Sequence, residues 1–142
     1  MKQIVLGLTM MVLIGIQSCK TDKVSKIELP QEIIDNDWDK AVQLSKERNK
    51  PILIDFYASW CKYCAKFKEN TLNNPEVKDY ISKNYIPIVI DIEKGKGVEL
   101  KEKYGVNSFP LHLIVDVNLQ EKGREYGNMP PTEFLTWVKS VK

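Results

Sequence analysis

Ile52-Leu53-Ile54-Asp55-Phe56-Tyr57-Ala58-Ser59-Trp60-Cys61-Lys62-Tyr63-Cys64 is the stretch on which the fold turns. Ile52 to Tyr57 is a short apolar run behind the breaker Asn49-Lys50-Pro51, the pattern of a central strand buried on both faces. Ala58-Ser59-Trp60-Cys61 makes a tight turn, and Cys64 to Leu72 reads as a helix, so Cys61 falls at a helix N-terminus. Strand, turn and helix in immediate succession are the opening of an α/β layer.

Outward from this stretch the alternation continues. On the N-terminal side Asp35 and Asn36 favour an N-cap, and Trp38, Ala41, Val42 and Ser45 share one face, which predicts a helix from about Asp37 to Arg48. On the C-terminal side Asn74 as cap and Pro75 as first residue open a helix bearing Val77, Tyr80 and Ile81. Tyr85 to Asp91 reads as its partner strand, Glu93 to Gly97 as a solvated turn, and Val98 to Tyr104 as a short helix closed by Gly105. A strand over Leu111 to Val115, a turn at Asp116-Val117-Asn118, an edge strand over Lys122 to Tyr126 and a last helix from Pro131 complete the order. The expectation is one α/β domain over residues 35–142, a central mixed β-sheet flanked by helices on both faces, with no internal repeat.

The composition agrees with one packed domain: 142 residues, 43% hydrophobic and 28% charged. Twenty-one basic and 19 acidic residues are scattered along the chain for a net charge of +2, so no electrostatic footprint for nucleic acid is present.

Lys2 precedes an apolar, uncharged run from Ile4 to Ile16, which then meets the polar stretch Ser18 to Lys26. That run is short for a bilayer span and matches the h-region of a secretory signal. Three cysteines in an exported chain leave one over from any pair. Ile16-Gln17-Ser18-Cys19 resembles the lipobox of bacterial lipoproteins, which implies residues 1–18 as signal peptide, lipidation of Cys19 and a tether over residues 19–34. A free or intermolecular Cys19 is the plain alternative.

Cys61 and Cys64, two residues apart at a helix start, can form a readily exchanged disulfide. The thiolate is the reactive form, and it is favoured at helix N-termini and in such motifs, with Lys62 adding positive charge. Cys61, further out, is the nucleophile, and Cys64, one turn into the helix, resolves the mixed disulfide. The same spacing is half a zinc site, but only Cys19 and the sole histidine, His112, remain as soft ligands, and no metal or cofactor is expected. A purely structural disulfide over so short a loop would constrain the unfolded chain little.

The run from Ile52 to Cys61 resembles the strand and active-site turn of thioredoxins, Phe109-Pro110 resembles the family's cis-proline loop, and Gly127 fits near the last strand. The similarity extends from about Trp38 to Val141 and implies a thioredoxin fold. It also implies that Asp55 is a buried acid beneath Cys64 that takes the proton of the resolving thiol; a strand-end carboxylate with its own hydrogen bonds is the alternative. Trp60, Phe109 and Pro110 are implied to form the substrate surface, with Trp60 as plain core the alternative for that residue. His112 reads as structural and dispensable for exchange. The sequence departs from cytosolic thioredoxins at Lys62-Tyr63, where they carry Gly-Pro, and at Pro87, which stands where many carry a lysine. The motif looks closer to the C-terminal domains of DsbD-type periplasmic thiol:disulfide interchange proteins.

Two functions follow as expectations. The first is an extracytoplasmic thiol:disulfide oxidoreductase, a disulfide reductase acting on protein thiols and disulfides, fed by a membrane electron donor and lipid-anchored in a bacterial cell envelope facing the periplasm or exterior. The second is a membrane-tethered binding or chaperone module with incidental cysteines, since a fold does not dictate a function.

Overall fold

The computed structural model describes residues 32–141. The expected signal sequence, Cys19 and most of the expected tether lie outside the described residues. Strands β1 (Ile34–Asp35), β2 (Ile52–Tyr57), β3 (Ile86–Asp91), β4 (Leu111–Val115) and β5 (Glu121–Tyr126) form one sheet in the order β1-β3-β2-β4-β5. β1 and β2 both run parallel to β3, whereas β4 is antiparallel to β2 and β5 to β4. The sheet is therefore mixed, as its sequence pattern predicts.

Helices cover both faces because the central strands are apolar on both. Ile52, Ile54 and Phe56 of β2 join Ile86, Ile88 and Ile90 of β3 and Leu111, Leu113 and Val115 of β4 on one face. There they meet Trp38 and Ala41 of α1 (Trp38–Arg48) and Leu100 of α4 (Lys96–Lys103). Leu53, Val89 and Ile114 point the other way, toward α2 (Lys62–Phe67), α3 (Pro75–Asn84) and α5 (Pro131–Ser140) through Phe67, Val77, Ile81, Phe134 and Val138. Each fully buried Ile, Leu, Val or Phe among them stabilises the fold by about 1.5–3 kcal/mol relative to exposure. The period of two along a strand puts Asp55 and His112 on this second face, the one that carries α2.

The ends of the elements depart from the sequence pattern in four places. β1, two residues long, has too little periodicity to read; it exists through its pairing with Ile88 and Val89. Asn36 secures it, donating its N–H to the Val89 carbonyl at 2.9 Å while its Oδ1 accepts the Asp91 N–H at 2.7 Å. Asp37, not Asp35 or Asn36, caps α1, its side chain accepting the Lys40 N–H at 3.1 Å. α2 starts at Lys62 and gives way to a π-helical turn over Lys68–Leu72, which Thr71 ties to the Met129 carbonyl at 2.6 Å. α4 begins at Lys96, so the expected solvated turn already contains the helix start. Asn74 and Pro75 open α3 as expected, Asn74 Oδ1 accepting from Glu76 and Val77.

Candidate active site

Cys61 and Cys64 are joined by a disulfide. Cys61 is the N-cap of α2 in extended conformation, which turns its sulfur back toward the helix, and the Cys64 N–H donates to that sulfur at 3.1 Å. A backbone donor aimed at Cys61 Sγ also serves the thiolate once the bond is reduced, since charge-assisted hydrogen bonds are the stronger ones. Cys61 is 9% exposed and Cys64 4%, so the outer cysteine is the more open to attack and the inner one lies in the first turn of α2.

The loop before β4 comes beside them. The Phe109–Pro110 peptide bond is cis, and the Phe109 ring meets the Trp60 indole edge-on with centroids 6.2 Å apart. Trp60 is 64% exposed, which removes the reading of it as core, and Tyr63 is 65% exposed on the same corner. Trp60 Nε1 donates to Glu93 Oε1 at 3.0 Å, and Gly127 donates its N–H to the Pro110 carbonyl at 2.9 Å. Glu93 and Tyr63 are the site residues that the sequence did not assign to the substrate surface. Tyr63 stands inside the motif and is flagged by exposure alone; Glu93 carries no local signal.

Asp55 lies on β2 behind the disulfide. It is 5% exposed and lines a cavity of about 150 Å3 together with Tyr57, Ala58, Cys61, Cys64 and Lys68. A larger groove of about 570 Å3 runs between Ile33, Leu72 and Ser82 and takes in neither cysteine. Asp55 is paired across the sheet with His112 of β4, and its Oδ1 is 3.0 Å from His112 Nδ1. Among the described residues no group of three or more His, Cys, Asp or Glu is placed to hold a metal ion.

Chemically, the corner offers an exchangeable disulfide, an aromatic rim of Trp60, Tyr63 and Phe109, and a buried carboxylate reached through a small cavity. A family model described as a thioredoxin-like domain matches residues 38–142. The thiol:disulfide interchange protein DsbD of Vibrio vulnificus (strain YJ016) is 26% identical over 129 residues, 88% of this chain and 21% of that protein. The chain thus spans about a fifth of the length of the curated relatives it matches. A solved DsbH oxidoreductase matches with a TM-score of 0.67 and 25% identity, over 85% of this chain and 89% of that one. The oxidised C-terminal domain of Neisseria meningitidis DsbD matches with a TM-score of 0.66 and 23% identity, over 78% of this chain and all of that one (100%). With a model match that runs from α1 through α5 and takes in both cysteines, the chain belongs to the thioredoxin-like domain family.

Proposed function

We propose that the protein is a thiol:disulfide oxidoreductase that works by dithiol–disulfide exchange, and that it runs as a reductase of exported proteins. The observation that carries this reading is the Cys61–Cys64 disulfide at the start of α2, with the Cys64 N–H aimed at Cys61 Sγ. The similarity to interchange proteins and to an oxidoreductase supports it.

In the reducing direction the Cys61 thiolate attacks a substrate disulfide, and one substrate sulfur leaves as thiolate and takes a proton. Cys64 then gives up its proton and attacks Cys61 Sγ. The second substrate sulfur is released and the Cys61–Cys64 disulfide closes. Two electrons have passed to the substrate, so a dithiol donor must restore the pair, and a membrane-embedded partner fits that need. Asp55 is the acceptor for the Cys64 proton in this scheme, with Trp60, Phe109 and Pro110 receiving the substrate chain. A signal peptide over residues 1–18 and a lipid on Cys19 would place the domain at the envelope surface, and more than one acyl chain would make the anchoring stable. Loss of acyl labelling in Cys19→Ser tests the anchor.

The deciding experiment is the reduction potential of the Cys61–Cys64 pair in the Cys19→Ser chain, equilibrated against glutathione and dithiothreitol buffers. A value near that of thioredoxins, about −270 mV, supports a reductase. A value near −120 mV makes it a disulfide donor. Failure to form the intramolecular disulfide removes the exchange reading and leaves a tethered binding module.

A further inference from the structure

His112 is the only histidine of the chain and has no part in the exchange scheme above. Its Nε2 lies 3.0 Å from the Gly127 carbonyl oxygen, which can only accept, so Nε2 carries a hydrogen. Its Nδ1 lies 3.0 Å from Asp55 Oδ1, a close contact not aligned as a hydrogen bond, and neither of these buried atoms has a hydrogen-bond partner. The two side chains are 1% and 7% exposed. With no proton on either atom, two unpartnered acceptors would lie 3.0 Å apart with almost no surface of their own exposed, which is costly. The pair therefore holds one proton beyond that on Nε2, whether written as imidazolium with carboxylate or as imidazole with carboxylic acid.

The surroundings join this pair to the disulfide. Phe67, one helical turn beyond Cys64, lies against the imidazole with ring centroids 4.0 Å apart and planes at 33°. Asp55 shares the cavity with Cys61 and Cys64. Gly127, which accepts from His112, also donates to the Pro110 carbonyl, so the ring is anchored to the loop beside the disulfide. The other ionisable groups nearby are Tyr57, half-buried, and Lys68, exposed, at the cavity wall, and Glu125, exposed opposite His112 on β5. α5 presents the Phe134 and Trp137 rings, and β3 presents Val89.

We propose that His112 is a positioning residue for the resolving step, and that Asp55 and His112 act as one proton-holding unit for Cys64. The proposal rests on the exchange reading above. His112 keeps a proton on the Oδ1 side and leaves the other carboxylate oxygen to take the proton of Cys64. As that proton moves, the Cys64 sulfur bonds to Cys61 Sγ, the bond from Cys61 to the substrate sulfur breaks, and the electron pair leaves on the substrate sulfur. The unit then holds two protons and returns one to the departing thiolate or to water. In the oxidising direction the same unit reprotonates Cys64.

Two measurements on the Cys19→Ser chain test this. Because His112 is the sole histidine, its ring signals in nuclear magnetic resonance need no further sorting. Their pH response is expected to differ between the oxidised and reduced protein and to change in Asp55→Asn. A ring that titrates as one independent group, alike in both redox states and in Asp55→Asn, overturns the proposal. In stopped flow with an aromatic disulfide, the first released thiolate reads attack by Cys61 and the second reads the resolving step. His112→Gln is expected to slow the second phase about tenfold to hundredfold and move its pH profile, with the first phase unchanged. A second phase that superposes on that of the parent at every pH overturns the proposal while the exchange reading stands. A parent chain that gives no second phase sinks the exchange reading itself and with it this role. If His112→Gln does not fold, the comparison of redox states and Asp55→Asn decides alone.

Discussion

Trp60 Nε1 donates to Glu93 Oε1 across 3.0 Å, which ties the residue before Cys61 to the loop after β3. An indole that is 64% exposed would ordinarily sample several rotamers, yet this one is held by a carboxylate at one end and the edge of Phe109 at the other. A large aromatic fixed in advance loses less entropy when it meets a partner. Glu93→Ala removes a surface hydrogen bond, so folding stability should change by no more than about 0.5 kcal/mol. The Michaelis constant for a peptide disulfide should rise about fivefold, the equivalent of about 1 kcal/mol, with little change in turnover. Steady-state reduction of a model peptide reads this directly, and an unchanged Michaelis constant would show that Trp60 needs no support.

Cys64 is the more buried of the two cysteines, and among the described residues no other thiol can displace a substrate held on Cys61. Cys64→Ser should therefore accumulate a mixed disulfide, whereas Cys61→Ser should form none. Mass spectrometry after mixing with a disulfide peptide distinguishes them. Adduct on Cys64 in the Cys61→Ser chain would reverse the assigned order of attack.

Gly97 sits in the first turn of α4 beneath the end of β3. A Cβ there would stand 1.9 Å from the Asp91 carbonyl oxygen and 2.8 Å from its carbon, both backbone atoms with no rotamer to yield. Gly97→Ala must push α4 away from β3, at a cost of about 1–3 kcal/mol as for other overpacked sites. Urea denaturation measures that loss. Since the loop that joins β3 to the displaced helix carries Glu93, the same variant should show the raised Michaelis constant of Glu93→Ala. Parent-like stability would mean that the helix start moves freely.

The elements that were legible in the sequence are those whose signal is local. β2 and β4 are apolar runs interrupted only at Asp55 and His112 because helices cover both their faces, and Asn74-Pro75 announces α3 through its own capping chemistry. β1 was not legible because two residues carry no period and the strand exists only by pairing with β3. Gly97 argued for a loop, but it is there for close approach within a helix. Cys61 and Cys64 announce themselves by spacing, yet the Asp55–His112 contact could not be read. The two are far apart in the chain, and only the antiparallel register of β2 with β4 makes them neighbours. Taken alone, a single histidine on a strand looks structural, and its polar partners belong to two other segments.

Tyr85 supplies a test of the second core that is independent of the cysteines. Its ring is buried, its hydroxyl donates to the Val138 carbonyl at 2.6 Å, and it thereby links the end of α3 to α5. Burial, with a smaller contribution from nearby Tyr80, pushes its phenol from the ordinary 10.0 up to about 12. In the unfolded chain a tyrosine loses its proton near pH 10, so between about pH 10 and about 12 the unfolded state binds fewer protons than the folded one. The stability that this shift contributes is fully present below about pH 10 and is lost as the pH rises through the folded value. Tyr85→Phe should thus cost about 1 kcal/mol near neutrality through the lost hydrogen bond. It should also make the alkaline decline shallower, so that the stability curves of parent and variant converge above pH 10. Urea denaturation across that range decides it: parallel curves would mean that the hydroxyl ionises as readily in the folded protein as in the unfolded chain.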